Sequence, residues 1–195
     1  MQYSLAPPYT SADDDCHDAA QRLAGIGLSV IPLTRNKTPA VRWKEWQQQP
    51  ADSHQIWDWF YGRDDLGIGI VVGPVSQHLC ARDFDEGASF CAWVASHSTL
   101  ARELPIAISR RGGHVYFRSS TAITTKLTDG ELRAGGSYVV APPSVHPSGS
   151  RYVWQRPLVS LPPFVDPVEV GLQPKPAAKA SSQRQQPKAG GNSLG

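Results

Sequence analysis

Apolar residues recur along this chain with two periods. Residues 13–23 carry Cys16, Ala20 and Leu23 at spacings of three and four, which predicts an amphipathic helix. Ser11 or Asp13 is expected near its N-cap, and Gly25 and Gly27 stop it. Residues 28–33 predict a short strand, followed by a loop over 34–39. A second helix is expected to start near Asp52 or Ser53, to carry Ile56, Trp57, Trp59 and Phe60, and to end at Gly62. The apolar runs 66–72 and 78–84 are short enough to be strands. Residues 87–100 predict one helix with Phe90, Trp93 and Val94 inward. Residues 106–109 and 114–117 predict strands around the turn Arg110-Arg111-Gly112-Gly113. Residues 131–133 and 138–140 predict a second hairpin around Gly135-Gly136. Pro142-Pro143 ends that strand, because proline has no N–H for the ladder. Residues 151–154 predict a last strand. Helices and strands mix without regular alternation, so the expected class is α+β, a mostly antiparallel or mixed sheet with flanking helices.

A chain of 195 residues with 40% hydrophobic content and six tryptophans can bury one ordinary core. Three parts are expected: an N-terminal arm at residues 1–10, a folded domain at 11–172, and a basic tail at 173–195 rich in Pro, Ala, Ser, Gln and Gly. No apolar run reaches the roughly 18–20 residues that span a bilayer. The N-terminus lacks the basic and apolar regions of a signal peptide. Cys16, Cys80 and Cys91 form no Cys-x-x-Cys pair. A reduced, cytoplasmic protein with no membrane segment, no disulfide framework and no cysteine zinc site is therefore expected.

The net charge of +2 is unevenly spread. The tail holds Lys175, Lys179, Arg184 and Lys188 and no acid, which leaves the rest slightly acidic. Nucleic acid would have to meet a local patch, and residues 101–156 offer Arg102, Arg110, Arg111, Arg118, Lys126, Arg133, Arg151 and Arg156. No Gly-x-x-x-x-Gly-Lys-Ser/Thr loop occurs, which excludes a P-loop ATPase. Gly67, Gly69 and Gly73 do not match the dinucleotide fingerprint.

The segment Arg82-Asp83-Phe84-Asp85 carries the main candidate chemistry. On a strand, residues i and i+2 share a face. Both carboxylates are expected to project together and repel, so removing one should leave stability unchanged or raised. Hard divalent cations, Mg²⁺ or Mn²⁺, relieve such repulsion. A third acid, Glu131 or Asp129, completes a set able to hold two metals. His114, Arg110 and Arg111 around the glycine turn can neutralise a triphosphate. Glu131 and Arg133 can equally pair with each other.

Over roughly residues 18–154 the chain resembles the prim-pol type of the archaeo-eukaryotic primase superfamily, the N-terminal domain of bifunctional DNA primase/polymerases. The resemblance rests on an ordered series. It begins with Gly27-Leu28-Ser29-Val30-Ile31-Pro32-Leu33, Lys37-Thr38-Pro39-Ala40 and Trp43-Lys44, then 66–73 and Arg82-Asp83-Phe84-Asp85. It continues through Gly112-Gly113-His114-Val115-Tyr116-Phe117, Glu131-Leu132-Arg133, the stretch 136–144 and His146, and closes on Tyr152-Val153-Trp154. It implies an RRM-like catalytic core and a template-dependent nucleotidyltransferase of a plasmid, phage or integrated element. Asp83, Asp85 and Glu131 are implied as metal-binding acids, although the third acid is usually aspartate. His114, Ser109, Arg111 and Arg133 are implied as nucleotide-binding. Lys37, Ser144 and His146 match positions without an assigned role.

Implied partners are nucleoside triphosphates and a single-stranded DNA template or primed template. A helicase or helical primase domain is implied downstream, so the domain is expected to extend primers but start them poorly. Two other readings stand beside this one. A rolling-circle endonuclease needs two histidines flanking an apolar residue, and His114-Val115-Tyr116 lacks the second. A non-catalytic module keeping a primase-like fold and binding nucleotide or nucleic acid is the alternative.

Overall fold

The computed structural model describes residues 15–174. Asp15, rather than Ser11 or Asp13, caps α1 (Cys16–Gly25), its carboxylate accepting from the Asp18 N–H at 2.8 Å. Only an oxygen one residue before the helix reaches that N–H, and Asp15 holds that place. Ala19, Ala20 and Leu23 are buried. Gly27, at φ +86°, turns the chain into β1 (Ser29–Leu33). Asp52 caps α2 (Ser53–Phe60), which buries Ile56 and Phe60. β2 (Gly67–Val71) and β3 (Leu79–Phe84) follow.

The helix expected over 87–100 is two, α3 (Gly87–Ser96) and α4 (Ser98–Glu103). His97 leaves helical geometry between them, at φ −121° and ψ 40°. Its ring stacks on Trp93 at 5.3 Å and bonds the Ser96 hydroxyl, so local side-chain bonds compete with the helix there. The remaining strands are β4 (Ile106–Ile108), β5 (Gly113–Arg118), β6 (Thr125–Leu127), β7 (Gly130–Arg133), β8 (Tyr138–Ala141) and β9 (Val153–Arg156). β6 was not expected; it is a short strand at the edge of its sheet with Lys126 exposed.

All strand pairs are antiparallel. They form one sheet in the order β6-β7-β3-β5-β4-β9 and a second in the order β1-β2-β8. The expected hairpin around Gly135-Gly136 is therefore absent. β7 pairs with β3 and β6, whereas β8 pairs with β2, so the glycines carry the chain from the larger sheet to the smaller. The β2–β3 connection makes the reverse crossing at Gly73, whose φ is +98°. A Cβ there would lie 2.5 Å from the Gly135 Cα, so the two crossings touch in a way only glycine permits. The result is the α+β class, with helices beside antiparallel sheets.

The larger sheet separates two cores. Phe84, Val115, Phe117 and Leu132 face α3 through Phe90 and Trp93. Ala81, Ala107 and Tyr116 face the smaller sheet, α1 and α2. The segment after Pro162 packs on the first core. Leu172 is fully buried, the Trp93 indole donates to Val170 O at 2.8 Å, and Arg118 exchanges backbone bonds with Pro163 and Val165. The expected arm at 1–10, and all but the first two residues of the tail at 173–195, lie outside the described residues. Among the described residues no helix is long and apolar enough to cross a membrane.

Candidate active site

β3 lies in the middle of the larger sheet, with β5 on one side and β7 on the other. Asp83 stands opposite His114 on β5 and opposite Glu131 on β7. Directly opposed residues of an antiparallel pair share a face, and Arg133 joins it two positions beyond Glu131. Two glycines allow this register. A Cβ on Gly112 would lie 2.1 Å from Phe84 O, and one on Gly130 would lie 2.0 Å from Asp83 O. Both flanking chains thus press on the β3 backbone where the acids begin.

Each expected acid meets an expected cation. His114 Nε2 lies 3.2 Å from Asp83 Oδ1, and Arg133 Nε lies 3.5 Å from Asp83 Oδ2. Arg133 Nη2 donates to Glu131 Oε2 at 2.8 Å, and Arg111 Nη2 to Asp85 Oδ1 at 3.0 Å. Asp83 is 19% exposed and sits inside a cleft, while Asp85 is 55% exposed in the bend beyond β3. Burial alone would raise the Asp83 pKa, but the charges and hydrogen bonds of His114 and Arg133 outweigh it and hold it at about 2. The acids are therefore paired rather than left to repel: without Asp83, His114 Nε2 loses its carboxylate partner and Arg133 keeps only Glu131 among the acids.

Other candidates fall elsewhere. Asp129 pairs with Arg82, whose guanidinium also lies over the Phe84 ring on the α3 side of the sheet. Glu131, not Asp129, is therefore the acid beside Asp83. Ser109 uses its hydroxyl to accept from the Gly112 N–H at 3.2 Å and shapes the turn. The arginines of 101–156 do not gather in one patch. Arg118 ends β5 far from His114 and covers Phe164.

The cleft, of about 400 Å³, opens between the two sheets. Asp83, His114 and Arg133 line it from the larger sheet, and Tyr138 and Val140 from β8. Lys37 and Trp43 form its loop wall. Lys37 takes the left-handed conformation, φ +63°, and its carbonyl accepts from the Tyr138 hydroxyl at 3.0 Å. Trp43 meets Tyr138 edge-on at 5.2 Å. Tyr152 closes the cleft beside His114, and its pKa is pushed up to about 12 by burial and then by the Asp83 charge. Sequence reasoning gave Trp43, Tyr138 and Tyr152 no role. Tyr138 alternates with its strand neighbours in the sequence, but which face meets the acids depends on the sheet crossing, and Trp43 and Tyr152 lie outside the strands. Ser144 is structural, its hydroxyl accepting from the Ile68 N–H at 2.7 Å.

Residues 20–164 match the protein family described as "Bifunctional DNA primase/polymerase, N-terminal". The chain belongs to this family. No curated protein matches it. Every lining residue of the cleft in this prim-pol domain lies within the matched span. Among the described residues, one compact group of potential ligands lies outside it: Asp15, His17 and Asp18, whose ligand atoms are all within 4.8 Å of one another. Asp15 is occupied in capping α1, and His17 bonds Asp18 at 3.1 Å, so that group is explained by the helix terminus. Asp83, Asp85 and Glu131 are not drawn so close, because each faces a cation. Their donor set nevertheless fits a hard divalent ion. Arg133 reaches both Asp83 and Glu131, so one positive charge already touches two of the three carboxylates.

Proposed function

We propose that this domain is a template-dependent nucleotidyltransferase that extends nucleic-acid strands from nucleoside triphosphates. The observation that carries the reading is the pairing of Asp83, Asp85 and Glu131 with His114, Arg111 and Arg133 in and beside one cleft. A metal–triphosphate complex contains both charges such a site needs. Its cations suit the three acids, and its phosphates suit the histidine and the arginines.

Asp83, Asp85 and Glu131 would hold Mg²⁺ or Mn²⁺. Those ions, when bound, supply charge neutralisation and acidify a primer 3′-hydroxyl. His114 Nε2, which carries a proton toward Asp83, then donates to a phosphate oxygen. Arg133 turns from Glu131 and Arg111 from Asp85 to the same phosphates. Ser109 keeps the turn that carries Arg111 in place. The 3′-hydroxyl gives its proton to solvent water, its oxygen attacks the α-phosphate, the bond to the β-phosphate breaks, and pyrophosphate leaves with the electron pair. The arginines and His114 stabilise the charge that accumulates on it. Position and charge supply the catalysis.

A primed DNA template, a labelled nucleoside triphosphate and Mg²⁺ or Mn²⁺ test the reading. Strand extension that is lost in Asp83→Asn and Glu131→Gln is the expected result. Nucleotide binding without extension at any metal concentration would favour the non-catalytic module, and a covalent protein–DNA adduct would favour an endonuclease.

A further inference from the structure

One residue from each strand of the larger sheet stands in a single row through the acids. Lys126 on β6 is opposite Glu131 on β7, and Glu131 is opposite Asp83 on β3. The row goes on through His114 on β5 and Ala107 on β4 to Trp154 on β9. Directly opposed residues share a face, so Lys126 lies on the face that carries the acids. The row is open at one end and closed at the other. Lys126 is exposed, and the side chains of Glu131, Asp83 and His114 are 23%, 19% and 4% exposed. Ala107 is fully buried and Trp154 packs on the core. Asp83, His114 and Arg133 line the cleft, whereas Glu131 and Lys126 stand outside its lining. Glu131 is thus at the rim, with Lys126 beyond it. Arg133 takes Glu131 Oε2, and Lys126 has no ion pair among the described residues.

We infer that the primer's 3′ end comes over the β6–β7 edge of the sheet, and that Lys126 binds the phosphodiester joining its last two nucleotides. This rests on the nucleotidyltransferase reading proposed above. Attack on the α-phosphate is in line, so the 3′-hydroxyl and the departing pyrophosphate lie on opposite sides of the phosphorus. His114 and Arg133 hold the triphosphate within the cleft, so the hydroxyl arrives from the rim, where Glu131 stands. A nucleic-acid strand cannot pass the closed end of the row at Ala107 and Trp154, and the Lys126 end lies open. The phosphate nearest a strand's 3′-hydroxyl is the one on the 5′ side of the same sugar. It follows the hydroxyl over the edge and meets the unpaired ammonium. A lysine binds such a group as a point charge, without reading the base. An edge lysine also deters strand addition, but that role takes no account of the primer's charge.

Primer extension by the whole chain, with the nucleotide saturating and the primed template varied, tests the contact. Lys126→Ala is expected to raise the KM for primed template about five- to tenfold and to leave the nucleotide KM within about twofold. Its salt dependence should fall by the share of about one phosphate. Lys126→Arg is expected to keep most of the affinity. A primer whose last linkage is a neutral methylphosphonate gives the sharper comparison. The wild type is expected to lose the same factor on that primer, and Lys126→Ala nothing further. Losses that multiply overturn the contact, as does a change in the nucleotide KM alone. A wild-type protein that extends no primer with Mg²⁺ or Mn²⁺ sinks the nucleotidyltransferase reading itself, and the contact with it.

Discussion

Arg133 touches two carboxylates at once, and Asp83 touches both His114 and Arg133, so no side chain in the cleft can be removed in isolation. Asp83→Ala should abolish extension and also lower stability by about 1–3 kcal/mol, since it leaves buried His114 Nε2 without its partner and takes one of two carboxylates from Arg133. Chemical denaturation of the variant beside the wild type measures this, and a variant as stable as the wild type contradicts the pairing. The same residue gives a pH signature. Its pKa falls from 3.8 to about 2 on folding, so its contribution is full above the higher value and is lost as pH drops toward the lower one. Wild-type stability should decline by about 2 kcal/mol more than that of Asp83→Asn over that window. Asp83 and Asp85 were legible in the sequence because alternation on a strand needs only two residues and a glycine. Their cationic partners as pairs were not legible, because Arg111 reaches the acids from a turn and Arg133 from a strand, both distant in sequence.

At the scale of elements, β3 is held between two chains that approach its backbone through glycine. Gly130→Ala would put a methyl group 2.0 Å from Asp83 O at a residue with φ +144°. It should destabilise the fold by more than about 2 kcal/mol. It should also reduce extension by shifting Glu131 relative to Asp83. Thermal unfolding and primer extension read the two effects, and a fully active, fully stable variant would show that the register is not set there. The kinds of element were legible from apolar period and caps, including Asp52 before α2. Two features were not. A glycine pair between strands looks the same whether it closes a hairpin or crosses between sheets, and the choice at Gly135-Gly136 depends on Gly73, 62 positions earlier. The break at His97 comes from a ring stacked on Trp93, which apolar spacing does not reveal.

At the scale of the molecule, two sheets meet only through their crossings and shared core, and the cleft lies at their open side. A metal and a nucleotide should each bind more tightly when the other is present, because each releases charges that the other satisfies. Titrating dATP with and without Mn²⁺ should show about a tenfold gain, and an unchanged affinity would mean that the acids and cations act separately. Saturating both ligands should also raise the melting temperature, by the equivalent of about 2.7 kcal/mol at a hundredfold excess over Kd. Asp83→Ala should show little of that rise. Trp43 stands edge-on to Tyr138 in the loop wall of this cleft, 5.2 Å from centroid to centroid. An indole so placed exchanges an aromatic and aqueous neighbourhood for a bound base or sugar, and its emission colour and yield depend on that exchange. The domain thus contains its own optical sensor. Nucleotide addition should change tryptophan fluorescence, and Trp43→Phe should silence the change while the other five indoles go on glowing as before.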